Sequence, residues 1–242
     1  MLLQKNTKNA IIQKEQKKRI SEDRKMKYRL AIFDLDGTIL YTLEDLKISL
    51  NHALSKNGLP ERTLDETRRF VGNGIRKLIE RAVPENSDPG LVDKVFDDFN
   101  LHYKEHCTDH TRPYEGIPEL LSALRESGVK TAVLSNKADY GVQELCARYF
   151  PGMFDFAAGE KAGVRKKPAP DGVFAILEKL GVSAADTVYI GDSEVDIETA
   201  ENAGMDSIIV DWGFRERELL ISRGAKVIAS APKEVLRLII GE

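Results

Sequence analysis

Four short apolar runs set the limits on what this chain can fold into: YRLAIFD (28–34), KTAVLS (130–135), TVYIGD (187–192) and DSIIVD (206–211). Each is bounded by Gly, Asp or Ser, and each is too apolar along its length to leave one face to water. Near them lie PELLSALRESG (118–128), ADYGVQELCARYF (138–150), DGVFAILEKLG (171–181) and SEVDIETAENAG (193–204), with apolar residues near a 3.6 period and most closing on glycine. Strands separated by helices make βαβ units, so the pattern predicts an α/β fold with an open, doubly wound (Rossmann-like) parallel sheet covered on both faces.

One interval breaks the alternation. From about Thr42 to Arg112 only helical patterns occur, such as LEDLKISLNHALSKNG, NGIRKLIERAV and DPGLVDKVFDDFNLHYKEH. The expected organisation is therefore a basic N-terminal extension (1–25), an α/β core from residues 26–42 and 113–242, and an inserted all-helical domain (43–112). The extension is set apart by charge. Residues 1–29 hold ten Lys or Arg against Glu15, Glu22 and Asp23, a balance of +7, which leaves −10 on residues 30–242. No aromatic residue precedes Tyr28 to stack on bases, so the segment reads as a solvated extension rather than a nucleic-acid arm. Met26 is an alternative natural start.

The remaining composition excludes classes rather than choosing one. With 42% hydrophobic and 31% charged residues the chain is an ordinary globular protein, and no apolar stretch approaches the ~18 residues of a membrane span. Cys107 and Cys146 form no CxxC and read as buried small hydrophobes, which fits a reducing compartment. The expectation is a cytoplasmic monomer or homodimer with no membrane or nucleic-acid partner.

In open α/β sheets ligands collect at the carboxyl ends of the strands, so the residues just past each strand belong together. Asp34 and Asp36 follow the first strand, two apart and so tending to one side, with Gly37 free to turn the backbone amide toward a bound anion. Taken alone they are equally a strand-terminating turn. Asp192 and Asp196 open a helical pattern, where capping explains them just as well. Together these carboxylates repel one another unless a cation neutralises them, and hard oxygens without His or Cys select Mg²⁺. Lys167, whose backbone Pro168 restricts, can offset charge on a phosphoryl group, and Ser135 and Asn136 can donate hydrogen bonds to the same anion. His102, His106 and His110, with Cys107, imitate a zinc spacing, but they end a helix just before Pro113 and lack an evident supporting partner.

DLDGT (34–38), Ser135 with Asn136, Lys167 with Pro168, and GDSEVD (191–196), in this order, resemble the haloacid dehalogenase superfamily across nearly everything from Tyr28 to Ile240. The helical insert is similar to that superfamily's small cap of the first type. The resemblance implies a phosphatase, because members that dehalogenate lack the acid found here as Asp36. It implies that Asp34 is the nucleophile, forming an aspartyl phosphate. Asp36 would protonate the leaving oxygen and then activate water. Asp34, the carbonyl of Asp36 and Asp192 would hold Mg²⁺ with Asp196 in support, while Ser135, Lys167 and the Gly37–Thr38 region would bind phosphoryl oxygens.

The stretches VGNGIRKLIERAVP, HTRPYEG and WGFRERELLISRGAKVIASAPKEVL further resemble the phosphoglycolate phosphatase branch. That likeness implies a loop, Gly72, Asn73 and Gly74, facing the site from the cap, and Arg76 or Arg81 meeting a substrate carboxylate. The expected substrate is a small phosphorylated metabolite, foremost 2-phosphoglycolate, with pyrophosphate, a sugar phosphate or a nucleotide as alternatives. Tyr41 stands where many relatives carry an acid. A phosphosugar mutase fits less well, since such relatives usually have valine at the place of Thr38 and a hinge histidine absent from LEDLK. A non-catalytic binding protein would have little reason to keep these acids crowded together.

Overall fold

The computed structural model describes residues 27–241, so the basic extension (1–25) and Met26 lie outside the described residues. The chain begins with β1 (Leu30–Phe33) and reaches β2 (Leu40–Tyr41), then runs through four helices: α1 (Leu43–Lys56), α2 (Leu64–Phe70), α3 (Ile75–Ala82) and α4 (Pro89–His106). It returns through β3 (Arg112–Pro113). There follow α5 (Ile117–Glu126), β4 (Lys130–Ala138), α6 (Asp139–Tyr149), β5 (Phe156–Glu160), α7 (Asp171–Leu180), a 3₁₀ turn (Ala184–Asp186) and β6 (Thr187–Gly191). The last elements are α8 (Glu194–Ala203), β7 (Asp206–Val210), α9 (Arg217–Ser222), β8 (Ile228–Ala229) and α10 (Pro232–Ile240).

Six strands form one parallel sheet in the order β5-β4-β1-β6-β7-β8. The first strand lies inside it, with Leu30 opposite Lys130 on one side and Thr187 on the other. All four of its residues are buried, and strand alternation deals them to two faces. Ala31 and Phe33 join Leu120, Leu124, Val142 and Ile239 on one side, while Leu30 and Ile32 join Val173, Ile176 and Ala200 on the other. The doubly wound sheet expected from the four apolar runs is therefore present. Two edge strands escaped that expectation: β5 reads FAAGE, partly exposed and without a β-branched residue, and β8 is two residues long.

The four helices between β2 and β3 have their own apolar cluster. Leu43, Leu46, Leu50 and Leu54, three to four apart on α1, pack with Leu78 and Ile79 of α3 and with Val95, Phe99 and Tyr103 of α4. The segment leaves and rejoins the core through a two-stranded antiparallel ribbon, Leu40 opposite Pro113 and Tyr41 opposite Arg112, too short for any sequence pattern. Tyr41 sits there under the Arg112 guanidinium, 4.4 Å from its ring centroid. The ribbon is braced by Asp45, a buried carboxylate that accepts from the backbone N–H groups of His110 (2.9 and 3.1 Å) and Thr111 (2.8 Å).

Asp45→Ala strips both amides of a charged acceptor and is expected to lower the unfolding free energy by about 2–4 kcal/mol, with Asp45→Asn losing less. Urea unfolding checks this; an unchanged midpoint for Asp45→Ala would show that the brace contributes nothing.

Candidate active site

The carboxyl edge of the sheet gathers the acids. Asp34 continues β1 by one residue, its N–H donating to Ile190 O (2.8 Å), and it lines the pocket at the carboxyl edge of the sheet. The chain then bends so sharply that Leu35 O accepts from three successive amides, those of Thr38, Ile39 and Leu40. Gly37 makes the bend possible, with φ +86°, and any Cβ there would overlap the Asp192 carboxylate. Asp192 follows β6. Its Oδ1 accepts from Thr38 Oγ1 (3.0 Å) and its Oδ2 from Phe214 N (2.7 Å). Asp196, fully buried in the first turn of α8, accepts from Ser193 N (3.1 Å) and Ser193 Oγ (2.6 Å).

Lys167 reaches into this cluster from the segment before α7. Its Nζ lies 2.8 Å from Asp196 Oδ1, 2.9 Å from Asp34 Oδ1 and 3.1 Å from Tyr189 OH, whose own hydroxyl donates to Leu134 O (3.0 Å). Burial alone would depress the ammonium; Asp196 and Asp34 outweigh it and hold Lys167 well above the ordinary lysine range. The carboxyls of Asp34 and Asp192 move the other way. Burial pushes both up; Lys167 partly counters this at Asp34, while Asp196 adds to it at both. Asp34, Asp192 and Asp196 bring oxygens within 4.8 Å of one another, and Asp34 Oδ1 has no aligned hydrogen bond despite its burial. An under-satisfied set of hard oxygens with excess negative charge suits a divalent cation. Among the described residues no His or Cys set converges in this way. His102 instead stacks between His52 and His106 at 4.1 and 4.3 Å.

Several expected contacts are made differently. Ser135 lines the pocket, and its Oγ accepts from Lys137 N (3.3 Å), which leaves the hydroxyl hydrogen for a ligand. Asn136 lines the pocket as well, and its amide grips the backbone of Lys167: Nδ2 donates to Lys167 O (3.0 Å) and Gly72 O (3.4 Å), and Oδ1 accepts from Lys167 N (2.9 Å). The amides of Gly37 and Thr38 donate within the turn, to Leu40 O (2.9 Å) and Leu35 O (3.3 Å). Thr38 acts on Asp192 through its hydroxyl.

The helical insert closes the pocket through the loop between α2 and α3. Val71, Gly72 and Gly74 form its roof with Ile75 and Leu78, leaving about 40 Å³ open to the centres of water molecules. Asn73 is not part of the wall: its Oδ1 accepts from Arg81 Nη2 (2.7 Å), while Arg81 Nη1 donates to Phe70 O (2.6 Å). Arg81 thus braces the loop from outside. Arg76 pairs with Asp93 (2.5 Å) and Glu80 (3.4 Å) on the surface, away from the pocket. The arginine that does line the pocket is Arg215, beyond β7, anchored by Glu194 (2.9 Å) and donating to Arg68 O (3.0 Å) and Val71 O (2.7 Å), so that it ties the loop to the core. Lys137 is a second missed residue. The sequence pattern ends a strand at Ser135, yet β4 runs to Ala138, and period two puts Lys137 on the side of Ser135.

A family model described as haloacid dehalogenase-like hydrolase matches residues 31–210. The chain belongs to the haloacid dehalogenase-like hydrolases. It is 32% identical over 215 residues to a phosphoglycolate phosphatase of Aquifex aeolicus, covering 87% of this chain and 96% of that one. It is 30% identical over 221 residues to the N-acetylmuramic acid 6-phosphate phosphatase of Pseudomonas aeruginosa, covering 88% and 95%. A crystal structure of a candidate phosphoglycolate phosphatase from Lactobacillus delbrueckii subsp. bulgaricus superposes with a TM-score of 0.87 at 41% identity, covering 90% of this chain and all of that one. These relatives are phosphatases, and this hydrolase is an enzyme of that kind.

A side chain at Gly213 would overlap Asp192 at its Cβ and carboxylate. Gly213→Ala is therefore expected to weaken divalent-cation binding by roughly tenfold or more while the fold persists. Calorimetric titration of both proteins checks this, and equal affinities would separate Asp192 from the cation.

Proposed function

We propose that this hydrolase is a Mg²⁺-dependent phosphatase that cleaves a small phosphomonoester, foremost 2-phosphoglycolate, through a phosphoryl group carried on Asp34. The observation that carries the reading is the Asp34 carboxylate: buried at the pocket wall, with the Lys167 ammonium 2.9 Å from its Oδ1 and oxygens of Asp192 and Asp196 within 4.8 Å. Asp34, Asp192 and the backbone carbonyl of Asp36 would hold the ion, with Asp196 behind them. When bound, the ion neutralises phosphoryl charge and orients the ester for in-line attack.

The chain's own residues supply the rest. An Asp34 oxygen attacks phosphorus, the bond from phosphorus to the ester oxygen breaks, and that oxygen takes a proton from the Asp36 carboxyl. Water then attacks the phosphorus, gives a proton to the Asp36 carboxylate, and the bond from phosphorus to Asp34 breaks, releasing phosphate. Lys167 and Ser135 bind the non-bridging oxygens, where a fixed ammonium in a dry site counts for more than it would in water. Splitting the reaction in this way suits an ester whose uncatalysed hydrolysis is among the slowest known.

A small, partly cationic pocket supports a small acidic substrate: Lys137, Lys167 and Arg215 all reach its wall. The segment 43–112 acts as a cap domain that selects what enters. The relative named for a phosphorylated amino sugar supports a second reading, a larger sugar phosphate admitted when the cap lifts. No helix among the described residues is long and apolar enough to cross a membrane, and Cys107 and Cys146 are free and buried, which supports a cytoplasmic site of action.

Phosphate release from a panel of phosphometabolites, with and without Mg²⁺, tests this reading. Turnover should require the ion, favour 2-phosphoglycolate, and fall by at least about 10³-fold in Asp34→Asn. Activity surviving that substitution would remove Asp34 from the chemistry.

A further inference from the structure

Two buried lysines stand in this site, and the reaction above uses one. Lys167 is paired with Asp34; Lys137 is paired with Asp36. The Lys137 side chain is 3% exposed, and its Nζ lies 3.0 Å from Asp36 Oδ1 and 3.1 Å from Asp36 Oδ2. Among the described residues it is the hydrogen-bond donor to that carboxylate. Its remaining partner is Tyr103 OH, which accepts from Nζ at 2.8 Å. Asp36 belongs to the loop after β1 and Lys137 to β4, whereas Tyr103 comes from α4 of the helical insert, buried in that segment's own cluster and stacked on Phe99 at 5.3 Å.

An ammonium is a point charge on a flexible stem, so by itself it fixes how far away a carboxylate lies rather than where it points. Here a third contact supplies the direction. Tyr103 OH takes one donor of Nζ and leaves the others aimed at both oxygens of Asp36. Because Tyr103 belongs to the insert, that alignment depends on the insert being seated on the sheet.

We propose that Lys137 is a positioning residue that aims the Asp36 carboxyl at the leaving oxygen, and that Tyr103 makes this aim conditional on closure of the helical insert. The inference rests on the acid role given to Asp36 above. Its consequence is a coupling between closure and proton transfer: with the insert lifted, Lys137 loses its cap-side acceptor and Asp36 its fixed orientation. Protonation of the leaving group is then confined to a site from which water is excluded.

The test compares two esters, an alkyl phosphate whose leaving oxygen needs a proton and p-nitrophenyl phosphate whose leaving oxygen barely does. In Lys137→Met, kcat/KM for the alkyl ester should fall by about 10²-fold or more, the scale of general-acid assistance, while the aryl ester loses much less. Tyr103→Phe, which removes one oxygen, should shift the alkyl-to-aryl ratio in the same direction by a smaller factor, and it carries the test alone if Lys137→Met does not fold. Equal losses on both esters, or none, would overturn the proposal by showing a role confined to packing. Asp36→Asn, read as the single-turnover rate of leaving-group release because it lacks the base of the second step, separates the two levels of argument. If it discriminates between the esters and the Lys137 and Tyr103 variants do not, the positioning role fails and the acid role stands. If Asp36→Asn itself does not discriminate, the acid role fails and this inference with it.

Discussion

Everything at the carboxyl edge of the sheet is arranged around the repulsion between buried carboxylates. Two unit charges within 4.8 Å repel by at least about 3 kcal/mol even at an effective dielectric near 20, and Asp34, Asp192 and Asp196 form three such pairs. One ammonium, Lys167, touches two of the three. Burial first, and the neighbouring carboxylates after it, raise the proton affinity of Asp34 and Asp192. A site left in that condition has a standing preference for a second cation and for whatever anion that cation brings.

Holding such a cluster together requires rigid supports, and each acid has one. Asp34 is fixed by β1, an inner strand buried on both faces. Asp192 is held through Thr38 and Phe214 and pressed by two positions, Gly37 and Gly213, that admit no side chain. Asp196 is gripped by Ser193, and Lys167 by the amide of Asn136. Asp36 is the exception. Its anchor is Lys137, and part of Lys137's anchor belongs to a different structural unit. The proposed proton-exchanging acid is thus the one whose support is shared between the sheet and the helical insert.

The sheet was legible because its central strands are continuous apolar runs, and the positions of Asp34 and Asp192 follow from where two of those runs stop. What escaped did so for identifiable reasons. The ribbon of β2 and β3 and the edge strand β8 are two residues each, too short for a period to show. Lys137 was hidden by ending β4 three residues early, at a polar stretch that normally signals a turn. Asn136, Gly37 and Thr38 lie in the expected neighbourhood and make scaffold hydrogen bonds that spacing cannot show, because a polar residue near a site can serve the ligand or the scaffold. Arg76 and Arg81, expected from the family likeness, pair with surface carboxylates and with the outer side of the loop. Arg215, distant in sequence, reaches the pocket because β7 ends beside it.

The central claim is that Asp34 carries the phosphoryl group, and the most direct measurement catches it there. Asp36→Asn, supplied with Mg²⁺ and p-nitrophenyl phosphate, should complete the first step and stall before hydrolysis, because no carboxylate remains to take the proton from water. Acid quenching followed by peptide mass spectrometry is then predicted to find the phosphoryl group on Asp34. A burst of p-nitrophenol with no phosphorylated Asp34, or with the group on another residue, would contradict the account.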